Sequence, residues 1–164
     1  MNHFQSLKTL SYVQVRRILR IWIQTIIPPA ITTALYFLIF GELIGSRIGE
    51  MPGYEGLTYL EFMVPGLIML AVITNSYANV ASAFFGAKFQ KAIEEILISP
   101  MANWAILLGF IAGGIARGVL VGVVVVLVSL FFTNFGISNI FVTLFSILLT
   151  STLFSILGLI NGVY

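Results

Sequence analysis

Four stretches of the chain carry no charged residue: 21–41, 62–87, 96–116 and everything after Arg117. About 20 apolar residues cross a bilayer core as a helix. The runs are too long for strands and lack two-residue alternation. The pattern therefore predicts four transmembrane helices, over about 22–40, 62–85, 104–132 and 140–160. Pro28-Pro29 falls near the start of the first, and Pro65-Gly66 is expected in the first turn of the second. The third is longer than a straight crossing needs, so it should tilt or protrude. The polar stretch Thr133–Asn139 divides the third span from the fourth.

Two shorter segments show a different pattern. Over 7–20, Leu7, Leu10, Val15, Ile18 and Leu19 lie broadly on one side of a helix, and Arg16, Arg17 and Arg20 on the other. Basic amphipathic helices lie in the headgroup plane and meet anionic lipid, so this segment is expected to be interfacial. Over 87–98, Phe89, Ala92, Ile93, Ile96 and Leu97 form an apolar stripe at helical spacing. Lys88, Lys91, Glu94 and Glu95 form the opposite face, with Lys91 and Glu95 as i,i+4 neighbours. Ser99-Pro100 should end that helix, because a residue before proline avoids the α region. It is either a loop helix resting on the membrane or a docking element for a cytoplasmic partner.

Composition agrees with a membrane class: 59% of the 164 residues are hydrophobic and 9% are charged. Charge then supplies orientation. Lys and Arg number four before the first span, one after it, two after the second and none after the third. The positive-inside rule puts the N-terminus and the 86–103 loop in the cytoplasm, and 41–61 and 133–139 on the other side. The net charge of +2 is small and most basic residues are grouped in two places, which argues for membrane orientation and against nucleic-acid binding. No run reads as a cleavable signal peptide.

Candidate chemistry is sparse. There is no cysteine, no aspartate and one histidine, His3. That excludes disulfides, zinc–thiolate sites and histidine pairs. No phosphate-binding loop surrounds Lys8, Lys88 or Lys91, and no catalytic, metal or cofactor site is expected. Glu42 and Glu61 sit at span ends, so no titratable carboxylate lies at membrane depth. Proton-coupled carriers usually need one.

Arg117 is the charge at depth. It should face a structural partner, a wet cavity on a substrate pathway, or an interface reached by snorkelling. Gly109 and Gly113 are four apart, as are Gly114, Gly118 and Gly122. That spacing lets helix backbones approach closely, within the chain or between subunits. Asn75, Asn79 and Ser82 share one face of the second span, with Thr74 and Ser76 nearby. They either bond across helices or line a hydrated path.

Several segments carry a family resemblance. The run Gly86-Ala87-Lys88-Phe89-Gln90-Lys91-Ala92-Ile93-Glu94-Glu95-Ile96-Leu97-Ile98-Ser99-Pro100 resembles the signature of ABC-2 type transport permeases, where a basic residue, a glutamate and an apolar pair precede Ser/Thr-Pro. Trp22 to Pro29, Phe40 to Gly49, Val64 to Ile68, Tyr77 to Ser82 and Gly113 to Gly118 resemble the same family. The resemblance covers essentially the whole chain.

It implies the membrane half of an ATP-driven exporter in the bacterial inner membrane, paired as a homodimer in the full-length form and surrounded by lipid. A separate ABC ATPase subunit would dock on the cytoplasmic helix. Lys88, Lys91, Glu94 and Glu95 would be its polar docking face, and Phe89, Ile93 and Leu97 its apolar one. Family members have six spans and four are expected here. The sequence therefore reads as the N-terminal part of a longer membrane domain, truncated after its fourth span. A secondary, ion-coupled transporter and a non-transporting membrane scaffold are the alternatives.

Overall fold

A computed structural model describes residues 3–45, 58–99, 101–133 and 139–163, with main chain alone at 3 and 42–44. The expectations for the 46–57 part of the loop after the first span, for Pro100 and for the 134–138 break lie outside the described residues. So does the side chain of Glu42.

Helix α1 runs His3–Arg20, and α2 runs Trp22–Phe37 and continues as a wider π-helical segment, Leu38–Gly45. Helix α3 spans Tyr59–Phe89, α4 Ala92–Ile98, α5 Asn103–Phe132 and α6 Ile140–Val163. The fold is all-helical among the described residues. Among the described residues four helices are long and apolar enough to cross a membrane: Trp22–Gly41, Tyr59–Phe89, Asn103–Phe132 and Ile140–Val163. At 30 residues, α5 is about 45 Å long. That exceeds a hydrocarbon core of about 30 Å, so part of it projects or tilts.

Helix α3 starts earlier than expected and carries Pro65 inside its second turn. Its start is fixed by Thr58 and Glu61. The Glu61 carboxylate accepts from the Thr58 backbone N–H at 3.0 Å and from its hydroxyl at 2.8 Å.

Close approaches fix the register. Gly41 lies against Leu60, so the end of the first span meets the start of α3. Phe37 stacks on Phe132 at 5.4 Å, which runs α2 parallel to α5. Gly114, Gly118 and Gly122 of α5 meet Val80, Ser76 and Val72 of α3 on one side. On the other they meet Ser155, Ser151 and Ile147 of α6. Helix α5 is thus antiparallel to both α3 and α6. Glycine at every fourth position places backbones where side chains would otherwise stand.

Helices α3, α5 and α6 form the close-packed centre. Two apolar clusters lie along it. One holds Phe37, Val64, Ile68, Val72, Val121, Val125 and Ile147. The other holds Val80, Ala83, Phe84, Ile106, Phe110 and Leu159. Helix α2 packs mainly on α5 and touches α3 little. Broad apolar faces of α2, α5 and α6 stay exposed, as a lipid-facing surface requires.

Helix α1 is more than a raft on the bilayer surface. Its inward stripe is Leu10, Gln14 and Ile18, and Leu10 and Gln14 seat on Gly109 and Gly113 of α5. Leu19, grouped with the apolar face by spacing, is exposed.

Candidate functional site

Two places concentrate polar chemistry: a belt at mid-bundle with a cleft beside it, and a charged corner at one end.

The belt lies between the two apolar clusters. Asn79 is 3% exposed, and Ser76, Ser151 and Ser155 are fully buried. Arg117 Nη1 donates to Asn79 Oδ1 at 3.4 Å, and Asn79 Nδ2 sits near Gly113. Asn79 therefore bonds across helices. Its two neighbours on α3 do not: Asn75 Nδ2 donates to the Ala71 carbonyl at 3.0 Å, and Ser82 Oγ to the Asn79 carbonyl at 3.2 Å. The buried Arg117 Nε and the hydroxyls of Ser76 and Ser155 have no partner among the described residues.

Because α2 stands away from α3, a cleft of about 460 Å³ opens between them, with Arg117 of α5 among its lining residues. From α2 it is lined by Gln24, Pro28, Pro29, Thr32, Thr33 and Tyr36. From α3 it is lined by Leu67, Leu70, Ala71, Thr74 and Asn75. Arg117 and Asn75 thus reach the cleft, while Asn79 and Ser82 do not line it. Gln24 and Thr32 escaped the sequence reading because isolated uncharged polar residues in a span give no signal beyond Arg117 itself.

The five glycines divide between two faces of α5. Gly109 and Gly113 receive α1, and Gly114, Gly118 and Gly122 receive α3 and α6. All five contacts lie within the chain. Tyr77 and Asn161 were not expected as a pair, yet Asn161 Nδ2 donates to the Tyr77 hydroxyl at 2.6 Å, tying α6 to α3.

The corner departs from the single helix expected over 87–98. Helix α3 continues through Phe89, the chain turns at Gln90-Lys91, and α4 starts at Ala92. Lys91 sits in the left-handed region at φ 58°, a conformation that breaks a right-handed helix. Lys88 and Phe89 consequently belong to the last turn of α3, and Ile93, Glu94, Glu95 and Leu97 to α4.

The break also divides the apolar stripe. Ile93 and Ile96 pack inward on the Val80–Phe110 cluster. Phe89 is 82% exposed and Ile98 85%, and Leu97, Glu94, Glu95 and Lys91 are exposed beside them. Lys88 Nζ donates to the Val163 carbonyl at 2.6 Å, tying the last turn of α3 to α6. Ile98 was not singled out from spacing. Ser99, after it, is extended, as a residue before proline prefers.

Comparison with known proteins decides the family. ABC-2 type transporters match over residues 5–164, nearly the full length. The chain belongs to the ABC-2 type transporter family. The inner membrane transport permease YadH of Escherichia coli K12 is 51% identical over 163 residues, which is 99% of this chain and 62% of the relative. YadH of Shigella flexneri gives the same identity and coverage. The chain thus spans about 62% of the length of these curated relatives. No solved structure matches it. The four apolar helices are accordingly the membrane-spanning segments of an ABC-2 permease domain.

Proposed function

We propose that this chain is the membrane-spanning permease part of an ATP-driven exporter in the bacterial inner membrane. It docks a separate ABC ATPase subunit at the corner between α3 and α4. One observation carries the reading: the corner displays Phe89, Leu97 and Ile98, all large and exposed, beside Glu94, Glu95 and Lys91. Exposed apolar anchors rimmed by charge suit a protein partner.

The corner shares its end of the bundle with α1, since Leu10, Gln14, Arg17, Gln90 and Ile96 line one cleft there. That end carries the basic residues of α1, so the positive-inside rule makes it cytoplasmic, where ATP is. The inner-membrane location is that named for YadH. The full-length form pairs as a homodimer, and the exposed apolar faces of α2 and α6 meet lipid or the second copy. Nucleotide hydrolysis in the ATPase would press on α4 and the end of α3, and α3 is continuous from there across the bilayer. The path gated in this way alternates between sides, and Arg117 and Asn75 stand beside it.

The test is co-purification of an affinity-tagged ABC ATPase subunit co-expressed with the full-length permease. The double reversal Glu94→Lys, Glu95→Lys lowers recovery at least tenfold, and Phe89→Ala lowers it too. The size-exclusion profile of the permease stays unchanged. Full recovery with the double reversal overturns the docking role.

A further inference from the structure

Charges in the four long helices sit at end turns, as Glu61 and Lys88 do, except Arg117, near the middle of α5. A guanidinium carries five N–H donors. Among the described residues, one of them reaches a side-chain acceptor, Asn79, and the buried Nε has none. Arg17 of α1, a second cation, lines a cleft with Gln14 at the same end of the bundle. The two arginines form a positive region without an acid to neutralise it among the described side chains.

Depth follows from register. Gln14 of α1 rests on Gly113, one turn of α5 and about 6 Å from Arg117. Leu10 meets Gly109 as Gln14 meets Gly113, so α1 runs beside α5 toward Arg117. Trp22 and Arg117 each stand 15 residues before the Phe37–Phe132 stack, so Arg117 is level with the start of the first span, not with the bilayer centre. A charge at this depth is within reach of a headgroup.

The cleft that Arg117 enters is polar at the α1 end, with Gln24 and Asn75. Away from it the lining carries no charge and is mainly apolar, with Pro28, Pro29, Leu67, Leu70 and the ring of Tyr36 beside Thr32 and Thr33. From Gln24 to Tyr36 is about 18 Å along α2. Half a hydrocarbon core is about 15 Å. The cleft thus has the length of one acyl chain in one leaflet and a cation at the headgroup end.

We propose that this cleft binds an anionic amphiphile, with its phosphate or carboxylate on Arg117 and its alkyl chain along the α2–α3 groove. Guanidinium matches the planar fork of either acid with paired N–H bonds. An acid also supplies the neutralising partner that Arg117 lacks. A zwitterionic headgroup would bring a second cation toward Arg17 and is disfavoured. As a binding site this stands without the ATPase; its use as a transport path rests on the reading given under Proposed function.

The test uses purified full-length permease in neutral detergent, titrated with phosphatidylglycerol or phosphatidylcholine and read by native mass spectrometry. Phosphatidylglycerol is expected to be retained at least tenfold better. Arg117→Gln abolishes that preference and Arg117→Lys keeps part of it. Leu70→Trp fills the groove with the charge intact and lowers retention of phosphatidylglycerol. Equal retention of both lipids overturns the proposal, as does a preference unchanged in Arg117→Gln or phosphatidylglycerol retention unchanged in Leu70→Trp.

A second arm separates sources, in proteoliposomes with the ATPase subunit and ATP. A cargo amphiphile is turned over, whereas a resident lipid stays bound; either outcome supports the site. Loss of ATPase co-purification with lipid preference intact counts against the docking reading alone.

Discussion

Replacing Gly158 by alanine places a methyl group against the main chain of α3. An ideal Cβ at Gly158 lies 2.5 Å from the Tyr77 carbonyl oxygen and 3.2 Å from its Cα. Ordinary contact begins near 3.4 Å, so α6 must retreat from α3 by about 0.9 Å. No rotamer change relieves this, because the obstacle is backbone. The retreat stretches the Asn161–Tyr77 hydrogen bond, now 2.6 Å, and unseats Gly162 from Phe84. Overpacking of this kind costs about 1–3 kcal/mol.

Gly66 provides the reference, since a Cβ there meets nothing within 4 Å. Gly66→Ala adds helix propensity alone and should be neutral or stabilising by up to about 1 kcal/mol. The difference between the two variants isolates the clash. At this chain size it corresponds to about 2–12 °C in unfolding midpoint. Thermal unfolding of both variants in one detergent, followed by circular dichroism, checks it. Gly158→Ala unfolding at or above Gly66→Ala would refute the close approach of α3 and α6.

Two further outcomes follow from local geometry. Thr58→Ala or Glu61→Ala removes the cap at the start of α3 and should cost about 0.5–2 kcal/mol in denaturant unfolding; an unchanged midpoint for both would discount the cap. Lys91→Gly accepts the left-handed turn freely and should not lower stability, whereas Lys91→Val should lower it by about 1–2 kcal/mol; the reverse order would place the α3–α4 break elsewhere.

The four spans were legible because bilayer-length runs without charge admit few other structures. The family was legible in the segment around Lys88–Pro100. The turn at Lys91 was not, because a lysine in the left-handed region leaves no mark that glycine would have left. Spacing put Phe89, Ile93 and Leu97 on one face, but the turn resets helical phase, so Ile93 goes in while Phe89 and Leu97 stay out. The glycines announced close approach without naming the neighbour. That choice depends on which helix returns beside α5, a tertiary fact. Gln14 was not singled out by spacing, and it is buried on Gly113. The cleft was half-visible: Arg117 and Asn75 stood out, whereas Gln24 needed the spacing of α2 from α3.

The glycine and serine steps shared by α3, α5 and α6 also restrict motion. Each step is a notch, and successive notches lie about 6 Å apart along the axis. To slip lengthwise, one helix would have to lift its neighbour's β-carbons over a backbone ridge at several notches at once. The three are therefore keyed together and travel as one block. Helix α2, touching α3 little, has no such key, and any opening of the bundle concentrates along its margin.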